Sequence, residues 1–162
     1  MATTESSWET VVNDSDEDLM LRVKTDDERL YAVLYLRYIP TKNYIARQGL
    51  DAHTVEDIYQ KTWKSIWQAR SSYEPRSKFK TYFYTVLNNK ITDHRREKDR
   101  DPTIELLPGL GRGDDPVGGH QAEVRDCRRH YLNALTKLSD LQQQTVLLRC
   151  SEGFRLSEIA ET

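Results

Sequence analysis

Cysteine is scarce in this chain of 162 residues: Cys127 and Cys150 stand alone, far apart and without paired-ligand spacing. That excludes a disulfide scaffold and a cysteine-based zinc site, and it suits a protein whose thiols stay reduced. Glycine and proline are few and bunched. The stretch EKDRDPTIELLPGLGRGDDPVGGHQAEV holds five of the seven glycines and three of the five prolines. No apolar run approaches the roughly 20 residues that cross a bilayer. The opening MATTESSWETVVNDSDED has neither the basic start nor the apolar centre of a secretory leader. A cytoplasmic protein with no membrane partner is the expectation. Positive charge is not in excess either, since the net charge is −2. The chemistry of a catalyst is also missing. There is no Gly-rich phosphate loop, nucleophile elbow or metal cluster, and DSDEDL lacks the alternating ligands and central Gly of a calcium loop. His53, His94, His120 and His130 show no ligand spacing. The chain is read as no enzyme, with no cofactor and no metal.

What is there is charge, unevenly spread. From Met1 to Glu28, nine acidic residues face only Arg22 and Lys24, whereas Arg70 to Arg100 holds nine basic residues against Glu74, Asp93, Glu97 and Asp99. Such asymmetry points to a local basic surface. High charge with little Gly or Pro favours amphipathic helices over a large β core. Residues 1–15 read as a flexible acidic segment. Asp16 is a plausible cap for a helix carrying Leu19, Met20 and Val23; a second helix carries Leu30, Val33 and Leu34 and is stopped or bent at Pro40. A short helix with Tyr44 and Ile45 is closed by Gly49.

The chain is organised around residues 56–96. Val55, Ile58, Tyr59, Thr62 and Ile66 recur at helical spacing, with Trp63 and Trp67 widening the stripe, while Asp57, Gln60, Lys61 and Lys64 form a polar face. Thr54, three residues before Asp57, resembles the start of a capping box. After the break at Tyr73-Glu74-Pro75, a second helix begins near Lys78. It turns Phe83, Leu87 and Ile91 inward and carries Lys80, Tyr84, Asn88, Thr92 and Arg95 on another face. The loop between the helices clusters Arg76, Lys78 and Lys80 beside Tyr73 and Phe79. Cations bind phosphates, and aromatic faces replace the stacking a base loses on leaving a duplex, so this combination suits melting and holding a nucleic-acid strand. Residues 99–119 read as a linker. Beyond it Cys127, Tyr131, Leu132, Leu135 and Leu138 form a stripe. Ser139 or Asp140 caps a helix with Val146, Leu147 and Leu148, a turn at Glu152-Gly153-Phe154 follows, and Ser157 could cap the last helix. Helix, Gly turn, helix is the opening of a helix-turn-helix.

EDIYQKTW followed by SKFKTYFYTVLNNKITDHRR resembles conserved region two of the extracytoplasmic-function (group IV) sigma factors of bacterial RNA polymerase, and LTKLSDLQQQTVLLRCSEGFRLSEIAET is similar to the start of their region four. The resemblance covers Asp16–Arg96 and Leu135–Thr162. It implies an all-α fold of two small helical domains: region two over 16–98, a linker over 99–119 and an incomplete helix-turn-helix over 120–162, whose recognition helix would follow Thr162.

The resemblance implies roles as well. The face with Asp57, Gln60, Lys61 and Lys64, anchored by Trp63 and Trp67, would dock on the β′ clamp helices of the polymerase. Asp57 and Gln60 match the family, and Lys61 stands where Glu is usual. The loop at Tyr73, Arg76, Lys78, Phe79 and Lys80 would receive a base flipped from the minus-ten promoter element. Along the following helix, Tyr82 stands where relatives often have Trp; Asn89, Asp93 and Arg96 match; and Tyr84, Asn88, Thr92 and Arg95 complete the DNA-facing set. Asn can read base edges with its paired donor and acceptor, and Asp93 is read as a partner for an Arg. Thr54 stands where relatives carry an acidic residue, which makes it a candidate phosphorylation site at a helix N-terminus; a plain cap is the simpler reading. The implied partners are the polymerase β′ and β subunits, promoter DNA and an anti-sigma protein. Two readings compete with a sigma factor that directs initiation: a truncated sigma-like protein that occupies polymerase or an anti-sigma protein, and a generic helix-turn-helix repressor.

Overall fold

The computed structural model describes residues 14–25, 28–100, 130, 133–135 and 137–162, and every regular element among them is helical. In chain order these are α1 (Asp16–Val23), α2 (Glu28–Arg37), a 3-10 turn (Ile39–Thr41), α3 (Lys42–Ala46), α4 (Ala52–Gln68), a second 3-10 turn (Arg70–Ser72), α5 (Phe79–Arg100), α6 (Asp140–Cys150) and α7 (Leu156–Ala160). The expectations for residues 1–13, for 101–119 and for Cys127, Tyr131 and Leu132 lie outside the described residues.

Short polar side chains set the helix starts, though not always the expected ones. Ser15, rather than Asp16, caps α1 by accepting from the Asp18 N–H. Asp16 instead accepts from the Tyr38 hydroxyl and pairs with Arg37, each at 2.7 Å, which ties α1 to α2. Asp51, rather than Thr54, caps α4 by accepting from the N–H groups of His53 and Thr54 at 3.0 Å. Of the two expected caps of α6, Ser139 takes the position and closes a capping box with Gln142. Ser157 lies inside α7, and Arg155 takes the cap position there. Gly49 (φ 78°) and Gly153 (φ 70°) hold the left-handed conformation where α3 and α6 give way to turns. A side chain would be strained at either.

α4 and α5 pack against each other, with α1, α2 and α3 around them. Ile58, Tyr59, Trp63 and Ile66 of α4 face Phe79, Phe83, Leu87 and Ile91 of α5, all buried. The centre is aromatic: the Phe83 ring lies 4.5 Å from that of Tyr38 and 5.1 Å from that of Trp63. Such pairs add directional attraction to the area they remove from water. Leu147, Leu148 and Phe154, from α6 and the turn after it, join the same cluster. The helix-turn-helix opening is therefore packed against α5.

The candidate polymerase and nucleic-acid interface

The polar face of α4 is already partly self-satisfied. Lys61 pairs with Asp57 at 2.7 Å one turn earlier, and that hydrogen bond holds the Lys61 ammonium above its ordinary pKa. Gln60 donates to Glu56, which also binds Lys42 at 2.6 Å. The Lys42 contact first, and the Gln60 contact second, hold the Glu56 carboxyl below its ordinary range. Lys64 is exposed. The two tryptophans separate. Trp67 is half-buried and lines an apolar hollow of about 490 Å³ with Tyr31, Ala32, Tyr35 and Leu36, while the Arg70 guanidinium sits 4.0 Å from its ring. Trp63 is only 3% exposed, so it has no area left to present and the expectation that it anchors a partner is corrected. It packs against Tyr31, Tyr38 and Phe83, and its backbone carbonyl accepts from the Tyr31 hydroxyl. Of the two, Trp67 is the ring this face can offer.

Between α4 and α5 the chain forms a cleft of about 370 Å³, lined by Ala69, Ser72, Tyr73, Glu74, Arg76, Ser77 and Tyr82. The Tyr73 and Tyr82 rings lie 5.4 Å apart. The Tyr73 hydroxyl is buried with no hydrogen-bond partner among the described residues. Burial, with the Glu17 charge nearby, pushes its pKa up to about 12, and burial also raises that of Tyr82. Arg76 is exposed at the lip, paired with Glu74 at 2.8 Å. The cleft's position depends on a remote contact. Glu17 of α1 accepts from the Phe79 N–H, capping α5 from another helix. Lys24 adds a hydrogen bond to the Tyr73 carbonyl at 3.3 Å.

Along α5 the expected DNA-facing residues divide in two. Asn89 and Arg96 are exposed, and Tyr82, Lys80, Thr92 and Arg95 are half-buried. Phe79 and Tyr84 are fully buried and Asn88 is 7% exposed, so their expected contact with DNA is corrected for this form of the molecule. Phe79 belongs to the aromatic core. Asn88 accepts from the Tyr44 hydroxyl at 2.8 Å, inside the protein. Tyr84 is covered from outside by Phe154, ring to ring at 5.0 Å, and it donates to the Glu152 carboxylate. Burial first, and that carboxylate second, keep its phenol neutral far above the usual range. Sequence reasoning missed Glu17, Glu152 and Phe154 as members of this surface. Each acts on residues 62 or more positions away, beyond the reach of any local period.

Residues 34–101, which carry α4, the cleft and α5, match the profile of the sigma-70 region 2 family. Over 148 residues the chain is 27% identical to the RNA polymerase sigma factor CarQ of Myxococcus xanthus, covering 86% of this chain and 80% of that one. The ECF RNA polymerase sigma factor SigK of a Mycobacterium species is 27% identical over 157 residues, covering 91% and 79%. The sigma-H factor of Pseudomonas aeruginosa is 28% identical over 161 residues, covering 93% and 83%. Over most of its length the chain is thus similar to extracytoplasmic-function sigma factors. The fold agrees with the solved structure of CnrH in complex with the cytosolic domain of CnrY, at a TM-score of 0.63 and 21% identity over 91% of this chain and 82% of that one. Within the matched stretch, Trp67 lines the apolar hollow and Ala69, two residues on, lines the cleft, so the two features meet at the end of α4. Among the described residues no helix is long and apolar enough to cross a membrane, and no His, Cys, Asp and Glu cluster could hold a metal.

Proposed function

We propose that this chain is a sigma factor that binds core RNA polymerase, through the β′ and β subunits, and directs it to promoters, opening the minus-ten element with the surface between α4 and α5. The cleft walled by Tyr73 and Tyr82 carries this reading. It has room for a nucleobase, two aromatic walls and an unsatisfied hydroxyl, with Arg76 at its lip and Lys78 just ahead of α5. Flipping a base out of a duplex costs a few kcal/mol, and an aromatic wall returns about 1–3 kcal/mol per stacked base. Asn89, Thr92 and Arg96 continue the surface along α5. Asp57, Gln60, Lys61 and Lys64, with Trp67 as apolar anchor, form the polymerase-docking face. Residues 16–98 act as region two and residues 120–162 as the part of region four this chain carries. The protein works in the cytoplasm as a non-catalytic initiation factor, and an anti-sigma protein would compete for these faces.

Two variants test the proposal in run-off transcription with core polymerase. Tyr82→Ala should lower promoter opening about ten-fold, the size expected from losing one stacking wall, while the holoenzyme still forms. Asp57→Ala with Gln60→Ala should weaken holoenzyme assembly and leave the melting curve unchanged. Full opening by the Tyr82 variant removes the cleft from the mechanism, and unchanged affinity of the double variant removes the docking face.

A further inference from the structure

The two aromatic walls of the cleft come from different parts of the chain. Tyr73 opens the loop after the second 3-10 turn, and Tyr82 sits in the first turn of α5. Arg76 bonds only to its near neighbour Glu74, through its backbone N–H and its guanidinium, on the exposed side of that loop. Both ends of the loop are tied to α1 instead. At one end the Lys24 ammonium donates to the Tyr73 carbonyl at 3.3 Å. At the other, the Glu17 carboxylate accepts from the N–H of Phe79, the first residue of α5. Phe79 and Tyr82 lie three positions apart on the helix and are neighbours on its surface, so this second tie fixes the turn that carries the Tyr82 ring. After burial, the Glu17 charge is the largest influence raising the Tyr73 pKa, which places that carboxylate near both walls.

α1 is a firm support for these ties. Leu19, Met20 and Val23 are fully buried, and Asp16 pins the start of the helix to Tyr38 and Arg37 at 2.7 Å each. We propose that Glu17, assisted by Lys24, is a positioning residue of the cleft: without lining it, α1 sets the gap between the Tyr73 and Tyr82 walls and so how strongly a base is held. The inference rests on the reading of the cleft as a base site. A gap wider by about 0.5–1 Å forfeits a quarter to a half of the attraction between packed atoms, so a small shift of either wall weakens the grip on a base.

Holoenzyme made from the full chain and core polymerase tests this, with a fluorescent single-stranded DNA of minus-ten type as probe. Each position of the strand is made abasic in turn, and the ratio of intact to abasic affinity measures how firmly that base is held. Wild type should show a ratio of about ten-fold at one position, the size of one stacked base. Glu17→Ala, alone or with Lys24→Ala, should cut that ratio roughly three-fold, as one lost hydrogen bond would. Affinity for the abasic strand should not change. Glu17→Gln keeps an oxygen for the Phe79 N–H and should keep the wild-type ratio. Asp51→Ala, which weakens the α4 cap at the opposite end of that helix, should lower the melting temperature and leave the ratio alone. A full ratio in both alanine variants at α1, or an equal fall in Glu17→Gln or Asp51→Ala, overturns the positioning role. Tyr82→Ala separates that role from the base site itself. If Tyr82→Ala abolishes the ratio while the α1 variants leave it intact, the cleft remains the base site and only the role of α1 falls. If Tyr82→Ala leaves the ratio intact, both fall.

Discussion

A buried amide has to be satisfied inside the protein. Asn88 meets that demand by accepting the Tyr44 hydroxyl at 2.8 Å. Replacing Asn88 with Ala strands that hydroxyl in a site where burial already raises its pKa. The variant should lose about 1–3 kcal/mol of stability, seen as a lower melting temperature, and keep the wild-type ranking of minus-ten sequences. Asn89, one position along and exposed, is where a change should alter that ranking. A uniform loss of affinity across sequences for the Asn89→Ala variant would remove it from base reading. The two residues share a chemistry and a neighbourhood in the sequence. The helical step of about 100° per residue separates their environments.

Among the elements, first turns decide much of the local stability. α4 starts on Asp51, whose carboxylate binds the Thr54 hydroxyl and backbone and is held below its ordinary pKa by those bonds. Asp51→Ala should destabilise the domain by about 1 kcal/mol. Because the folded-state pKa is lowered, that contribution is present above the ordinary carboxylate range and lost as pH falls through the folded value. Wild type and variant should therefore converge in stability in acid, and a constant gap down to low pH would exclude Asp51 as the cap. Thr54→Glu places the preferred third-position residue after Asp51 and should raise stability by a few tenths of a kcal/mol, independently of any modification. Helix existence and the core-facing residues of α4 and α5 are legible in the sequence because they follow a local period. Ile58, Tyr59, Thr62 and Ile66 all lie buried as that period predicts, as do Phe83, Leu87 and Ile91. The period does not separate Trp63 from Trp67, because the width of an apolar stripe depends on what packs beside it, and Tyr31 and Tyr38 come from outside α4. The capping of α5 by Glu17 is beyond its reach for the same reason. So is the covering of Tyr84, since its partners have no fixed spacing in the chain.

Across the molecule, a set of buried phenols is held protonated. Tyr31, Tyr38, Tyr44, Tyr59 and Tyr84 all have pKa values raised by burial, and the charges of Asp16 and Glu152 add to the effect at Tyr38 and Tyr84. A raised folded-state value gives a contribution that is complete below the ordinary tyrosine pKa of about 10 and is lost as pH rises beyond it. Stability should thus stay flat to about pH 10 and then fall steeply. The tyrosinate absorbance of most of these residues should appear together with the loss of helical circular dichroism. Smooth tyrosine titration while the helices persist would mean the cluster admits water readily.

The pairing of Lys78, Lys80 and Arg95 with oxygens of the same chain also bears on where the protein spends its time in a cell. Chromosomal DNA offers about 10⁶–10⁹ sites with no sequence of interest, and an open basic face would be drawn to all of them. If these three cations are the phosphate contacts proposed above, their internal engagement should lower the slope of log K against log salt by about 2–3. Bulk DNA then competes poorly for the free protein. The fraction left in solution is the fraction that can meet polymerase, so a few internal contacts decide which of two abundant partners is encountered first.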